Sequence, residues 1–247
     1  MTQTATTQAP AQSRPLTPLI AWRNVLGATI VGWIIIALPN FAFLTDYLAR
    51  TMRNDLVLAS LYLDCGFFVS CALVIALVYW WQHAHGETLA DLGWGKRTTV
   101  TAIIIAVIFG SLWTATSYLN TARNGLTFFD LPWERFVMAP MGIVLAFGEE
   151  ILFRGFLMEQ LRRAGVKAWI QILVSAATIG SYHGLVGFHY FPEYAISGFV
   201  LFSIVALLHV IGKRSMTPNL TAHALAHVFG DPALTMGILA GLLHTLK

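Results

Sequence analysis

Residues 136–155 read FVMAPMGIVLAFGEEILFRG. An uncharged apolar run from Phe136 to Phe147 leads into Glu149, Glu150 and Arg154, and the helical pattern resumes at Phe156, Leu157 and Leu161. The three charges therefore sit inside a membrane helix or at its inner edge. On insertion scales each costs roughly 2.5–3.5 kcal/mol at a helix centre, and groups that costly face a bundle interior and serve a function. Glu150 and Arg154 are four apart, which pairs them on one helix face. Glu149 lies about 100° round the helix from Glu150, so the two acids meet different neighbours. A buried Glu–Arg clamp that only ties helices together accounts for Glu150 and Arg154 and leaves Glu149 unexplained.

The composition agrees with a membrane location. Of 247 residues, 57% are hydrophobic and 11% charged, with mean hydropathy +0.68. Soluble domains carry about 25% charged residues. Seven apolar runs, at roughly 23–44, 56–81, 99–119, 136–161, 168–187, 194–212 and 218–243, approach or exceed the ~20 residues that span a bilayer. The expected fold is an all-α polytopic transmembrane helical bundle of about seven spans. Residues 1–18, rich in Thr, Gln, Ala and Pro, read as a disordered tail without the apolar core of a signal peptide. Residues 19–247 read as a single transmembrane domain. Cys65 and Cys71 lie within one apolar run and read as buried thiols packing as small hydrophobes.

Lys and Arg set the expected polarity. With the N-terminus in the cytoplasm, Arg14, Arg23, Lys96, Arg97, Arg162, Arg163, Lys167, Lys213 and Arg214 lie inside, against Arg50, Arg53, Arg123, Arg135 and Lys247 outside. The net charge of +3 is small and its basic residues sit in short loops, which excludes a nucleic-acid partner. Trp80, Trp81, Trp94, Trp133 and Trp169 fall near run ends, as interfacial aromatics do.

Histidines interrupt two of the runs. His223 and His227 are four apart on one helix face. That spacing suits paired zinc ligands, with Glu149 or Glu150 as a third, but position 224 is Ala where the zinc-protease motif carries Glu. His183 stands in Gly180-Ser181-Tyr182-His183-Gly184, whose small residues allow close helix approach. With two acids and two further His available, a shared polar site is the expected arrangement. His85, His189, His209 and His244 lie near run ends and read as interfacial. Asp64 is a further intramembrane acid, readable either as partner to a bundle Arg or as a secondary site residue. No Gly-x-Ser-x-Gly element and no Gly-rich phosphate loop is present.

In these residues the chain resembles the CPBP family, also called Abi, of CAAX-prenyl-protease and bacteriocin-processing membrane proteins. The family's Glu-Glu-x-x-x-Arg motif is met by Glu149, Glu150 and Arg154. Its Phe-x-x-x-His motif reads Ile179 to His183, and its His-x-x-x-Asn motif reads His223 to His227. Two positions depart: Ile179 replaces Phe and His227 replaces Asn. The resemblance covers about residues 135–230.

It implies an intramembrane endopeptidase that needs no cofactor and no catalytic metal. Glu149 would activate water, His183 would help hold that water, and His223 would donate to the oxyanion. Glu150 and Arg154 would orient the helix and tune Glu149, and His227 would stand as second oxyanion donor. A membrane-bound protein or peptide substrate, the lipid bilayer as environment and a multi-pass location, bacterial inner membrane by family prevalence, follow from it. Glu149, His183 and His223 are expected in one cavity opening toward the cytoplasm. A zinc metalloprotease using His223, His227 and Glu149, a non-catalytic immunity or scaffold protein, and a proton-coupled transporter remain as other readings of the polar residues.

Overall fold

The computed structural model describes residues 15–123, 133–186, 191–231 and 233–245. It is 84% helical, with no strand among the described residues. Residues 1–14 and His189, on which two sequence expectations fall, lie outside them, as does the side chain of His244. Among the described residues eight helices follow one another: α1 (Pro18–Thr51), α2 (Leu56–Ala84), α3 (Val100–Arg123), α4 (Trp133–Arg163), α5 (Ala168–His183), α6 (Phe191–Ile211), α7 (Met216–Gly230) and α8 (Ala233–Thr245). This is the all-α polytopic bundle that the apolar runs predict.

The number of spans differs from the seven runs. Five helices (α1, α2, α3, α4 and α6) are long and apolar enough to cross a bilayer, or six if α7 and α8 act as one span. The fifth run gives the 16-residue α5, short of the ~20 residues of a full crossing. The seventh run breaks at Asp231, and its two halves meet at 70°. Asp231 precedes Pro232 in the sequence, and its backbone is extended, with φ −79° and ψ 141°. A residue before proline is pushed out of the helical region, which stops α7 there.

Helix α4 is the centre of the bundle. Every residue from Gly148 to Leu161 is buried. Helices α2 and α7 pack on its first half, and α1 and α5 reach its second half. A helix that is apolar all round belongs in an interior. The helices around it turn large apolar side chains outward: Leu26, Leu73, Ile108, Leu112, Ile196 and Val200 are exposed. In a bilayer these residues form the lipid-facing surface, and Trp80, Trp94, Trp133 and Trp169 are exposed near helix ends.

Two helices contain π-helical stretches, Gly32–Leu44 in α1 and Ile151–Leu157 in α4. The amide of Thr45 donates to the carbonyl of Asn40, and that of Met158 to Phe153, five residues back in each case. Pro39 lies within the first stretch and removes one amide donor from its ladder. The second stretch begins directly after Glu150. Such widened turns are frequent at functional sites.

Polar side chains link the helices where the apolar effect between them is absent. Asn24 Nδ2 donates to Gln160 Oε1 at 2.9 Å, joining α1 to α4. Asn40 Nδ2 donates to Ser70 Oγ at 3.0 Å, joining α1 to α2. Trp33 Nε1 donates to Ser181 Oγ at 3.0 Å, joining α1 to α5. Thr114 Oγ1 donates to the Leu225 carbonyl at 3.0 Å, joining α3 to α7. Cys65 and Cys71 are free thiols, Cys71 fully buried.

Candidate active site

The start of α7 is set by its cap. Ser215 Oγ accepts from the Thr217 amide and donates to the Lys96 carbonyl at 2.8 Å, which ties the helix to the α2–α3 connection. From there Asn219, His223 and His227 follow at four-residue intervals, with Asp231 next as the C-cap. They form one polar stripe facing α4. Two close approaches bring the stripe to the acids. A Cβ on Gly142 would stand 2.5 Å from Cβ of His227, and one on Gly148 would stand 2.5 Å from Cβ of Cys71. Only glycine lets α4 lie so near to α7 and α2 at these levels.

Glu150 is fully buried and fully engaged. It accepts from Asn219 Nδ2 at 2.7 Å, lies 2.8 Å from His223 Nδ1, and pairs with Arg154 Nη1 at 3.2 Å. Arg154, also fully buried, donates from Nη2 to the Phe202 carbonyl at 3.3 Å, and its guanidinium carbon sits 4.9 Å from the Phe202 ring centroid. A carboxylate facing a guanidinium and an amide N–H acts as acceptor, so His223 carries its proton at Nδ1.

Glu149 is placed differently. It is 5% exposed, and its Oε2 has no hydrogen-bond partner among the described residues. That oxygen lies 3.7 Å from His223 Nε2. The buried hydroxyl of Tyr182 lies beside the Glu149 carboxylate, within its electrostatic reach but outside hydrogen-bond geometry. His183 sets its Nδ1 2.9 Å from the Ile179 carbonyl, which makes Nδ1 the donor and leaves Nε2 as the acceptor of a neutral ring. Its ring packs among Phe41, Tyr182 and Phe202, at centroid distances of 5.3, 4.5 and 4.9 Å. Phe41, from α1, supplies an aromatic beside His183 although position 179 holds Ile. Trp113 stacks on His223 at 5.2 Å and 19°.

Glu149, His183, His223 and His227 line one cavity of about 220 Å³, with Asp64 on its wall. The expectation of a shared cavity is met. Its lining continues through Ser117 and Asn120 near the end of α3, Tyr194 and Ser197 near the start of α6, and Thr235 in α8. Those segments lie at the end of the bundle opposite Lys96, Arg162 and Lys213. On the polarity expected from the basic residues, the cavity extends toward the non-cytoplasmic side. The reason is geometric: α4 runs sixteen residues from Trp133 before it reaches Glu149, and the space lies along that part.

The reading of the residue types alone missed Asn219, Tyr182 and Asp231. Asn219 and Asp231 were reachable, since each stands four residues from a histidine already singled out. Tyr182 carried no such signal, because its position beside Glu149 depends on how α5 docks. Among the described residues Asp64 forms no ion pair with an Arg; the side chain set against it is Asp231.

A bundle of apolar helices enclosing a buried Glu–Glu–Arg and His cluster defines a multi-pass membrane protein with a polar-lined internal cavity. Residues 131–229 match the family described as type II CAAX prenyl endopeptidase Rce1-like. The matched stretch holds all three motifs and runs from the approach to α4 to the last turn of α7. It is consistent with the CPBP family and with a CAAX-type intramembrane protease. No curated protein and no solved structure matches the chain.

Proposed function

We propose that this protein is a glutamate-dependent intramembrane endopeptidase. It hydrolyses a peptide bond of a membrane-associated protein or peptide with water activated by Glu149. The observation that carries this reading is the contrast between the two acids. Glu150 is saturated by Asn219, His223 and Arg154, whereas Glu149 presents an unpartnered oxygen to the cavity, 3.7 Å from His223 Nε2. A general base needs a free lone pair within reach of the proton that it takes, directly or through one water. His183, an acceptor at Nε2, holds the same water from the other side. His227 presents a ring nitrogen where the carbonyl oxygen would gain charge, whereas His223, with its Nδ1–H held by Glu150, offers Nε2 to the same space as an acceptor. Glu150 and Arg154 act through His223 by fixing its ring.

A zinc mechanism would need Glu149, His223 and His227 to converge on one point. Among the described residues no three His, Cys, Asp or Glu side chains form such a group. The reading is tested by comparing the proteomes of membranes carrying wild-type and Glu149→Gln protein. The amide keeps shape and removes the base, so an uncut precursor accumulates with the variant while the protein stays folded. Near wild-type turnover of an identified substrate by Glu149→Gln would place the base elsewhere. Elemental analysis belongs to the same test: stoichiometric zinc, with activity lost on stripping and regained on zinc addition, overturns the metal-free mechanism.

A further inference from the structure

The stripe on α7 does not end at the residues of the proposed mechanism. Asp231 is 1% exposed, and its Oδ2 lies 2.9 Å from His227 Nδ1. Its Oδ1 has no hydrogen-bond partner among the described residues. Asp64, in α2, is 0% exposed, and neither of its oxygens has a donor among the described residues. The two side chains face each other. Neither acid forms an ion pair with Lys or Arg among the described residues; the one basic group recorded on either is His227. Two adjacent buried carboxylates repel, and the conflict is removed when one of them holds a proton and donates it to the other.

The other end of the line is constrained too. His223 donates from Nδ1 to Glu150, so in a neutral ring its Nε2 is a lone pair. His227 Nε2 lies 3.3 Å from it. If His227 were neutral with its proton on Nδ1 toward Asp231, two lone pairs would face each other across that gap. One distribution of protons that satisfies every link pairs the positive charge with the buried Asp231. Asp64 is protonated and donates to Asp231. Asp231 is ionised and accepts from His227 Nδ1. His227 is doubly protonated and donates from Nε2 to His223, and His223 donates from Nδ1 to the ionised Glu150.

We infer that Asp64 and Asp231 are positioning residues that hold His227 as an imidazolium, ion-paired with Asp231, so that an N–H stands at Nε2 toward the cavity. The group at this position is thus a charged donor, where the resembled family carries an amide. Other titratable groups facing it are His223 on its own helix, Glu149 from α4 and His183 from α5. Helices α3, α6 and α8 contribute Trp113, Ser117, Asn120, Tyr194 and Thr235 to the same cavity, of which only the tyrosine can titrate. The use of that N–H for an oxyanion rests on the function proposed above; the protonation state does not.

The test uses the full chain in detergent micelles with ¹⁵N-labelled imidazole rings and no substrate, so an inactive protein leaves it readable. At neutral pH one histidine is expected to show both ring nitrogens protonated, and the signal should vanish in His227→Asn. Asp64→Asn, which keeps an N–H donor toward Asp231, should retain that imidazolium. Asp64→Leu removes the donor that stabilises the ionised Asp231, makes that carboxylate the stronger base, and should raise the pH at which the His227–Asp231 pair loses its proton by about one unit or more, roughly a tenfold change in proton affinity. Asp231→Asn should leave the ring neutral. A wild-type spectrum with a neutral His227 overturns the inference without recourse to any variant. So does a folded Asp64→Leu protein whose His227 protonation is unmoved.

Discussion

At Glu150 three donors meet in a space closed to water. Arg154 neutralises it, Asn219 and His223 hydrogen-bond to it, and all four groups are buried to within 1% of full enclosure. Breaking a buried pair leaves an uncompensated charge and costs about 3–5 kcal/mol, far more than forming the pair contributes. Glu150→Gln should therefore destabilise the protein by about that amount, measured by chemical unfolding in detergent, besides loosening His223. An unfolding curve superimposable on wild type would show that Arg154 finds another partner. His227 should respond in a different way. His227→Asn supplies an uncharged N–H₂ donor at every pH, so substantial activity should remain and one limb of the pH–rate profile should flatten. His227→Ala should lose ~10²–10³-fold in turnover, the usual effect of removing one oxyanion donor. A His227→Ala enzyme as active as wild type would reduce the residue to packing.

Helix α4 does its work by lying close to its neighbours. Gly142 sets the distance between α4 and α7 at the level of His227, with 2.5 Å available to a Cβ where His227 Cβ stands. The obstructing atom is next to the backbone and cannot swing aside. Gly142→Ala should force the helices apart, at about 1–3 kcal/mol for an overpacked contact. The same displacement moves His227 relative to Glu149, so activity should fall by more than the stability loss explains. Parallel unfolding and turnover measurements separate the two, and a variant losing only stability argues that the site tolerates the shift. The π-helical stretch after Glu150 was invisible in the sequence, because the apolar pattern of residues 151–157 does not distinguish a five-residue from a four-residue hydrogen-bond ladder. The break after α7 was visible in principle: Asp231 and Pro232 stand inside a run that hydrophobicity alone reads as continuous.

On the scale of the molecule, the cavity extends toward the end of the bundle opposite Lys96, Arg162 and Lys213. Single cysteines report this directly once Cys65 and Cys71 are replaced by Ala. Ser197 is exposed beside the cavity, and Lys213 is exposed in the α6–α7 turn. Ser197→Cys should react with a membrane-impermeant thiol reagent added from the non-cytoplasmic side, and Lys213→Cys only after the membrane is opened. The reverse pattern would put the N-terminus outside and the cavity mouth in the cytoplasm. In either case the cavity extends toward the end of the bundle where α3 ends and α6 begins.

The sequence alone determined the class of fold and singled out the polar groups of the proposed site. Charges within apolar runs are expensive, so Glu149, Glu150, Arg154, His183, His223 and His227 identify themselves by the cost of burying them. It determined as well that the two acids differ, since neighbours on a helix point about 100° apart. The tertiary structure alone decided how they differ. Which acid is saturated and which is free depends on where α7 docks against α4, and that docking follows from close approach at Gly142 and from the cap at Ser215. It also decided the partners of His227 and Asp64. Asp64 and Asp231 are 167 positions apart in the chain (231 minus 64), and no local periodicity relates them. Only the packing of α2 beside the end of α7 brings two buried carboxyls together.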